Sequence, residues 1–211
     1  MSTDPDYPTV PATKLDEWTL VSEAVETVFQ LPAARVVGAT RQYEDEQLRE
    51  AVRAATDGDI DHRWRFFAAT RLGFDPMLPP GTMPSMILPT MRSEAKKKFK
   101  QRLGSRGVRD IERGRRERVR VRSGKRARLT RFDGVDPLET VDAEGVVPDD
   151  GVPVTGWVGV WNDVTDFLGV TGGYPARPLA ESLGLDSDDA GINRTASQSE
   201  GEFLELLRDV R

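Results

Sequence analysis

The hydrophobic and polar positions of the N-terminal third predict two strands and a helix. Alternating runs over Thr27–Leu31 and Arg35–Tyr43, separated by a proline, are typical of paired strands. Residues 19–28 fit a helix as well as a strand, and both alternatives stay open. Asp45 can cap a helix that continues to Ala55, because apolar side chains recur there at helical spacing, at Leu48, Ala51, Val52 and Ala55.

The next pattern predicts a half-buried strand from Arg63 to Phe74. Apolar and arginine positions alternate, which places Arg63, Arg65 and Arg71 on a solvent face. The segment from Asp75 to Pro89 then holds five prolines and three methionines in fifteen residues. Such a composition favours a long apolar loop, residues 75–89, because proline interrupts helices and central strands.

A basic helix follows this loop. Thr90 can cap it and Gly104 can end it, with Lys96 and its neighbouring lysines on the outer face. The helix has one apolar row, formed by Met91, Ala95, Phe99 and Leu103.

Residues 108–122 and 126–132 predict a hairpin whose two faces differ in charge. A three-residue turn would place Val121 opposite Ala127 and Val119 opposite Leu129, which makes one face apolar. The same parity collects five arginines on the other face, namely Arg118, Arg120, Arg122, Arg126 and Arg128.

The C-terminal third predicts a second hairpin, over Val154–Trp161 and Phe167–Gly173, and a final helix capped by Ser199 with Glu202. We expect an α+β fold in which an antiparallel sheet of about six to seven strands carries about three helices. Residues 1–17 are expected to form a disordered acidic, proline-rich tail. Residues 18–211 would form one domain, with an acidic linker over residues 176–198.

Two short glycine and aromatic motifs carry a family resemblance. Gly156–Trp161 and Gly172–Pro175, together with the element order, resemble the Mog/PsbP-like α/β/α fold and haloarchaeal proteins that share it. The resemblance implies a binding or assembly protein more than an enzyme. It transfers no functional residue to this chain.

Composition adds a prediction about the environment. The chain has 24 arginines, 6 lysines, 35 carboxylates and no cysteine, a balance typical of salt-adapted archaeal proteins. The absence of cysteine excludes disulfides and thiolate metal sites. The acidic N-terminus lacks secretory-signal features and no apolar run is long enough to span a membrane, so we expect a cytoplasmic protein without a membrane span.

The charges are unevenly distributed along the chain. Residues 92–131 sum to +14, whereas residues 1–91 sum to −6 and residues 132–211 to −13. The arginine face could bind a polyanion such as nucleic acid, with Trp157, Trp161 or Phe132 as stacking surfaces if they are exposed. Alternatively, the acidic flanks could neutralise it. Molar salt reduces the Debye length to about 3 Å, which favours internal contact pairing.

Catalytic motifs are scarce. His62 is the only histidine, and we interpret it as a turn residue paired with an aspartate. Ser93 and Lys96 have the spacing of a serine–lysine pair, but the companion motifs of such enzymes are missing. The sequence therefore predicts no catalytic, cofactor or metal-binding residue, and an enzyme with an unrecognised site is the weakest hypothesis.

The leading hypothesis is a non-enzymatic binding or assembly module. Its interaction surface would combine the arginine hairpin with Met77, Met83 and Met86, where a protein partner or an apolar ligand could bind. The alternative is a nucleic-acid-binding protein that uses the basic segment 92–131. The partner itself is not identified by the sequence.

Overall fold

The structure is a computed structural model, and it describes residues 4–31, 34–78, 81, 83–138, 148, 150–163 and 166–211. The strands are β1 Thr19–Gln30, β2 Arg35–Glu44, β3 Phe66–Asp75, β4 Arg109–Arg120, β5 Arg126–Asp136, β6 Val152–Asn162 and β7 Phe167–Pro175. The α-helices are α1 Glu46–Ala55, α2 Pro84–Ser105, α3 Leu179–Leu183 and α4 Ala196–Asp209. Within this described part, no helix combines the length and apolar character needed to cross a membrane.

One seven-stranded antiparallel sheet organises the fold, in the order β1-β2-β3-β7-β6-β5-β4. The predicted α+β class is confirmed. Helix α2 packs on one face of the sheet, where Met91, Phe99 and Leu103 are buried. Helix α4 covers the opposite face through Phe203 and Leu207. Helices α1 and α3 pack together at one end of the sheet in a separate apolar cluster.

The N-terminal elements show how far local pattern determines structure. The ambiguous residues 19–28 are strand, because β1 extends from Thr19 and pairs along most of β2. Helix α1 confirms the predicted cap, since the Asp45 carboxylate accepts the backbone N–H of Leu48 at 2.9 Å. The apolar stripe of α1 is buried at Leu48 and Val52.

Strand β3 is not half-buried as predicted. Phe67 and Ala69 are completely buried on the face assigned to arginines, and the Arg65 side chain is only 2% exposed. Arg65 is accommodated because its guanidinium donates to Asp45 at 2.5 Å and to Glu202. These partners lie 20 and 137 residues away in the chain, so alternation within β3 does not reveal them.

The Arg65 cluster also anchors residues near the N-terminus. Arg194 donates to Glu202 at 2.5 Å and to Glu17 at 2.8 Å, while the Arg65 guanidinium stacks over the Trp18 ring. Buried charges are tolerated when they are paired in this way. We call Glu17, Asp45, Arg65, Arg194 and Glu202 the buried ion cluster.

Helix α2 begins earlier than predicted, because residues 84–89 are helical rather than part of a loop. Pro84 occupies the first turn, where a missing N–H has no helical acceptor to lose, and Pro89 is accommodated inside the helix. Residues 79, 80 and 82 of the predicted loop lie outside the described residues.

The C-terminal region also differs from expectation. The predicted acidic linker contains α3, and α4 begins one turn before the predicted cap. Thr195 and Gln198 form the capping box of α4, whereas Ser199 lies buried inside the helix. Of the predicted tail, Val10 is buried and Thr9 exchanges two backbone hydrogen bonds with Arg211, while residues 1–3 lie outside the described residues.

Two glycines test how tightly α4 packs on the sheet. A Cβ at Gly172 would lie 2.5 Å from the Phe203 ring and 3.1 Å from the Phe66 carbonyl oxygen, whereas Gly201 in α4 has open space. We expect Gly172→Ala to lower the free energy of unfolding by about 1–3 kcal/mol through overpacking. Gly201→Ala should raise it by about 0.5–1 kcal/mol through helix propensity. Urea denaturation measures both changes in the free energy of unfolding. If the two substitutions changed it in the same direction and by the same amount, this packing would be contradicted.

Candidate anion-binding cleft

The β4–β5 hairpin has the predicted parity but a different register. Val119 pairs with Ala127, and Arg118 pairs with Arg128, so each partner is displaced by two residues from the prediction. The hairpin closes through a hydrogen bond from the Val121 N–H to the Lys125 carbonyl. A shift of two preserves which residues share a face, and the predicted separation of apolar and charged faces is therefore retained.

The two faces of the hairpin have opposite environments. The apolar face packs under α4, where Val119, Val121, Ala127 and Leu129 are buried. The arginine face, defined by Arg118, Arg120, Arg122, Arg126 and Arg128, is solvent-exposed.

Internal pairing does not neutralise the arginine face. Within the described residues, Arg122 alone of the five has a carboxylate neighbour, with Asp209 at 3.9 Å. Acidic side chains instead pair with neighbouring arginines: Arg115 contacts Glu200, and Arg131 donates to Asp133 at 2.7 Å. The hypothesis that acidic flanks cover this face is thus wrong for the described part of the chain.

Helix α2 turns the arginine face into one wall of a cleft. Arg92 and Lys96 are one turn apart on α2, and the Arg92 Nε–H donates to the Val160 carbonyl oxygen at 2.9 Å. The cleft has a volume of about 400 Å³, with β5 and β6 as its floor. We call it the cationic cleft, and its cations are Arg92, Lys96, Arg113, Arg116, Arg118 and Arg128.

The cleft carries little compensating negative charge. Among the residues that the structure describes, Glu117 is the only carboxylate along its lining, and the Glu117 Oε2 lies 3.6 Å from Arg115. Six cations against one carboxylate give a local formal charge of +5. Directly opposed cations such as Arg118 and Arg128 destabilise a sheet.

The pKa values of two cleft residues reflect this crowding. Burial lowers the pKa of Lys96, and the charges of Arg113, Arg116 and Arg92 lower it further. Burial likewise lowers the pKa of Arg92, with a further contribution from Arg128. Both side chains would regain favourable interactions if an anion entered the cleft.

Sequence reasoning identified only part of this site. Lys96 was predicted on the outer face of the helix, but it faces the cleft. Arg113 and Arg116 share the cleft wall because the register shifts between them, which simple alternation does not show. The spacing of Arg92 and Lys96, four residues apart on a helix, could have indicated a shared face.

The aromatic residues predicted to stack with bases do not reach the cleft. Trp157, Trp161 and Phe132 are all buried in the protein core. The Trp157 indole N–H donates to the Tyr174 hydroxyl at 2.9 Å, and burial raises the pKa of Tyr174 to about 12. None of these three side chains lines the cationic cleft, so they provide no stacking surface within it.

The methionines of the predicted partner surface are exposed. Met77, Met83 and Met86 expose 81%, 61% and 70% of their surface, so the structure does not place them in the core. Met83 immediately precedes α2 and Met86 lies in its first turn. That they contact a partner or an apolar ligand stays a prediction.

His62 is paired with an aspartate, as interpreted from the sequence, but the partner is not a neighbour in the chain. Its Nε2 lies 3.1 Å from Asp136 Oδ2, whereas the adjacent Asp61 binds Arg49. Burial raises the pKa of Asp136, but hydrogen bonds from His62 and the Leu138 N–H outweigh burial and lower it overall. Within the described residues, no group of three metal-ligating side chains is found.

Comparisons with known proteins give one match. A family model described as Domain of unknown function (DUF6517) matches residues 7–211. No curated protein and no solved structure matches the chain. The Mog/PsbP resemblance therefore remains an expectation from the sequence.

The like-charge crowding predicts a stability gain when Lys96 is neutralised. Lys96→Met keeps a similar apolar stem but removes one charge, so we expect the free energy of unfolding to rise by about 0.5 kcal/mol at low salt. The gain should shrink in 1 M KCl, where the Debye length is about 3 Å. Lys100→Met, on the exposed side of α2, is the matched control.

The lowered pKa of Lys96 determines how the free energy of unfolding changes with pH. Between that pKa and 10.5 the unfolded chain binds more protons at Lys96, so wild-type stability rises with pH. The advantage of Lys96→Met should therefore be largest at neutral pH and vanish above pH 10.5. Urea denaturation at several pH values measures it, and an advantage that grows with pH would contradict the predicted linkage.

Proposed function

We propose that this chain, which belongs to the family described as Domain of unknown function (DUF6517), is a non-enzymatic binding module for a phosphate-rich polyanion. The observation that carries the proposal is the cationic cleft, where six cations converge with one carboxylate residue. A fold gains no stability from opposed, unpaired arginines. Their convergence is therefore best accounted for by an anionic ligand.

Arginine chemistry favours phosphate groups as the ligand. Guanidinium groups bind phosphate in a planar, bidentate manner, and they remain charged at every physiological pH. Alternate residues on β4, such as Arg118 and Arg120, are about 6.8 Å apart along the strand. This row continues beyond the cleft along the hairpin, so it suits an extended chain of phosphates more than a single ion.

The nucleic-acid backbone is the leading candidate within this class. Because Trp157, Trp161 and Phe132 are buried, recognition would depend on phosphate contacts rather than on stacking of unpaired bases. Duplex nucleic acid, which presents phosphates and keeps its bases paired, fits this surface better than a single strand. Binding of this kind would be independent of base sequence.

The proposed setting is a salt-adapted archaeal cytoplasm. The high ratio of arginine to lysine and the excess of carboxylates support it. At high salt, counterion release contributes less to affinity, and short-range bidentate contacts become more important. We therefore propose that the cleft geometry, in addition to net charge, maintains binding under these conditions.

A charge-matched pair of double variants tests the proposal. We expect Arg118→Ser with Arg128→Ser to weaken binding of a labelled 20-bp DNA duplex at least about tenfold, because both side chains line the cleft. The slope of log affinity against log KCl concentration should fall by about 1.8, since about 0.9 is lost for each phosphate contact. Fluorescence anisotropy over a KCl series measures both quantities.

The control is Arg53→Ser with Arg177→Ser, which removes two equally charged residues that are 53% and 63% exposed and lie outside the cleft. It should change the affinity less than twofold. Equal weakening by both double variants would show that net charge alone causes binding. Tighter binding of inorganic polyphosphate than of the duplex would keep the polyanion class but reject nucleic acid.

A further inference from the structure

A second cavity lies at the C-terminal end of α2, whereas the cationic cleft lies beside the middle of this helix. Its volume is about 400 Å³, within the usual range for small-molecule pockets. The C-terminal turn of α2, the segment before β3 and strands β5 and β6 enclose it. Its apolar wall includes Phe66, Leu103, Val108 and Phe132. Its charged and titratable groups are Asp61, His62, Arg63, Arg106 and Asp136, of which Asp61 is paired with Arg49 and Arg63 with Glu44.

Arg106 supplies an unpaired cation at this pocket. Within the described residues, its guanidinium has no carboxylate partner, and it lies 5.2 Å from the centre of the Phe66 ring. Burial and the neighbouring charge of Arg102 lower the pKa of Arg106, Glu44 opposes them, and Arg63 makes the smallest contribution. The residue as a whole is solvent-exposed, so a bound anion would mainly compensate the repulsion from Arg102 and Arg63.

The His62–Asp136 pair provides a fixed polar group beside the apolar wall. The Leu138 N–H donates to Asp136 Oδ1 at 3.0 Å, and His62 Nε2 lies 3.1 Å from Asp136 Oδ2. His62 also packs edge-on against Trp64, with ring centres 4.8 Å apart. Because Asp136 is held by the backbone, the imidazole has a defined orientation.

We propose that this pocket binds a small organic anion with a flat apolar body. The anionic group would pair with Arg106, the apolar body would lie against Phe66 and Phe132, and His62 would contact a polar substituent. Charge complementarity supports this class, since a neutral ligand would leave the Arg106 guanidinium unpaired. This site is separate from the cationic cleft, because none of the cleft cations lines it.

The test compares two probes of equal shape, 2-naphthoate and the neutral 2-naphthalenemethanol, by isothermal titration calorimetry. We expect Arg106→Gln to weaken naphthoate binding at least about tenfold and to change binding of the neutral alcohol less than twofold. Arg106→Lys, which keeps the charge, should recover most of the affinity. Arg102→Gln is the matched control, because Arg102 lies one turn earlier on α2 and does not line this pocket.

Several outcomes would overturn this inference. Failure of the wild-type protein to bind naphthoate at millimolar concentration would exclude the ligand class. Equal weakening by Arg106→Gln and Arg102→Gln would show that only general charge matters. If Lys96→Met weakened naphthoate binding and Arg106→Gln did not, the probe would occupy the cationic cleft instead. Thermal unfolding of each variant establishes that the fold is intact.

Discussion

The buried ion cluster around Arg65 is the interaction on which the arrangement of the layers depends. Asp45 serves two elements, because its carboxylate caps α1 and also accepts a hydrogen bond from Arg65, which immediately precedes β3. Glu202 joins α4 to the same guanidinium, and Arg194 extends the network to Glu17. Arg65 and Asp45 are the fully buried pair of this network, and removing one partner of such a pair typically costs about 3–5 kcal/mol, because a buried charge is then left unpaired. The cluster thus fixes α4 against one face of the sheet.

With one face closed by α4, the other face is left to α2, and this helix gives the molecule its candidate sites. The apolar row of α2 lies on the middle of the sheet, so cavities remain where the helix does not reach. The cationic cleft lies beside the middle of α2, and the second cavity, which Arg106 and His62 line, lies at its C-terminal end. Both sites border the same apolar cluster, the cleft through Val158 and the second cavity through Leu103 and Phe132. Among the described residues, no charged residue lines both sites. Packing thus accounts for the position of each cavity, and its polar lining determines the class of ligand.

Features set by neighbouring residues could be predicted from the sequence, and features set by distant ones could not. The cap at Asp45 and the two faces of the β4–β5 hairpin follow from local spacing, and the structure retains both. The hairpin register differed by two residues because either register buries the same apolar face. The burial of Arg65 and the pairing of His62 with Asp136 depend on residues far apart in the chain. No local pattern distinguishes Arg65 from the exposed arginines of the hairpin, although the two environments are opposite.

Strand β4 lies at an edge of the sheet, and no strand among the described residues pairs with its outer backbone groups. Exposed edges of this kind promote aggregation, because another strand can add to them. Six arginines along β4 and the two irregularities in its pairing with β5 oppose such addition, since a second β4 would bring like charges together. The arginines of β4, which contribute to the candidate ligand surface, would therefore also protect the protein from self-association in the absence of a ligand. Neutralisation of these arginines by a bound polyanion would remove that protection.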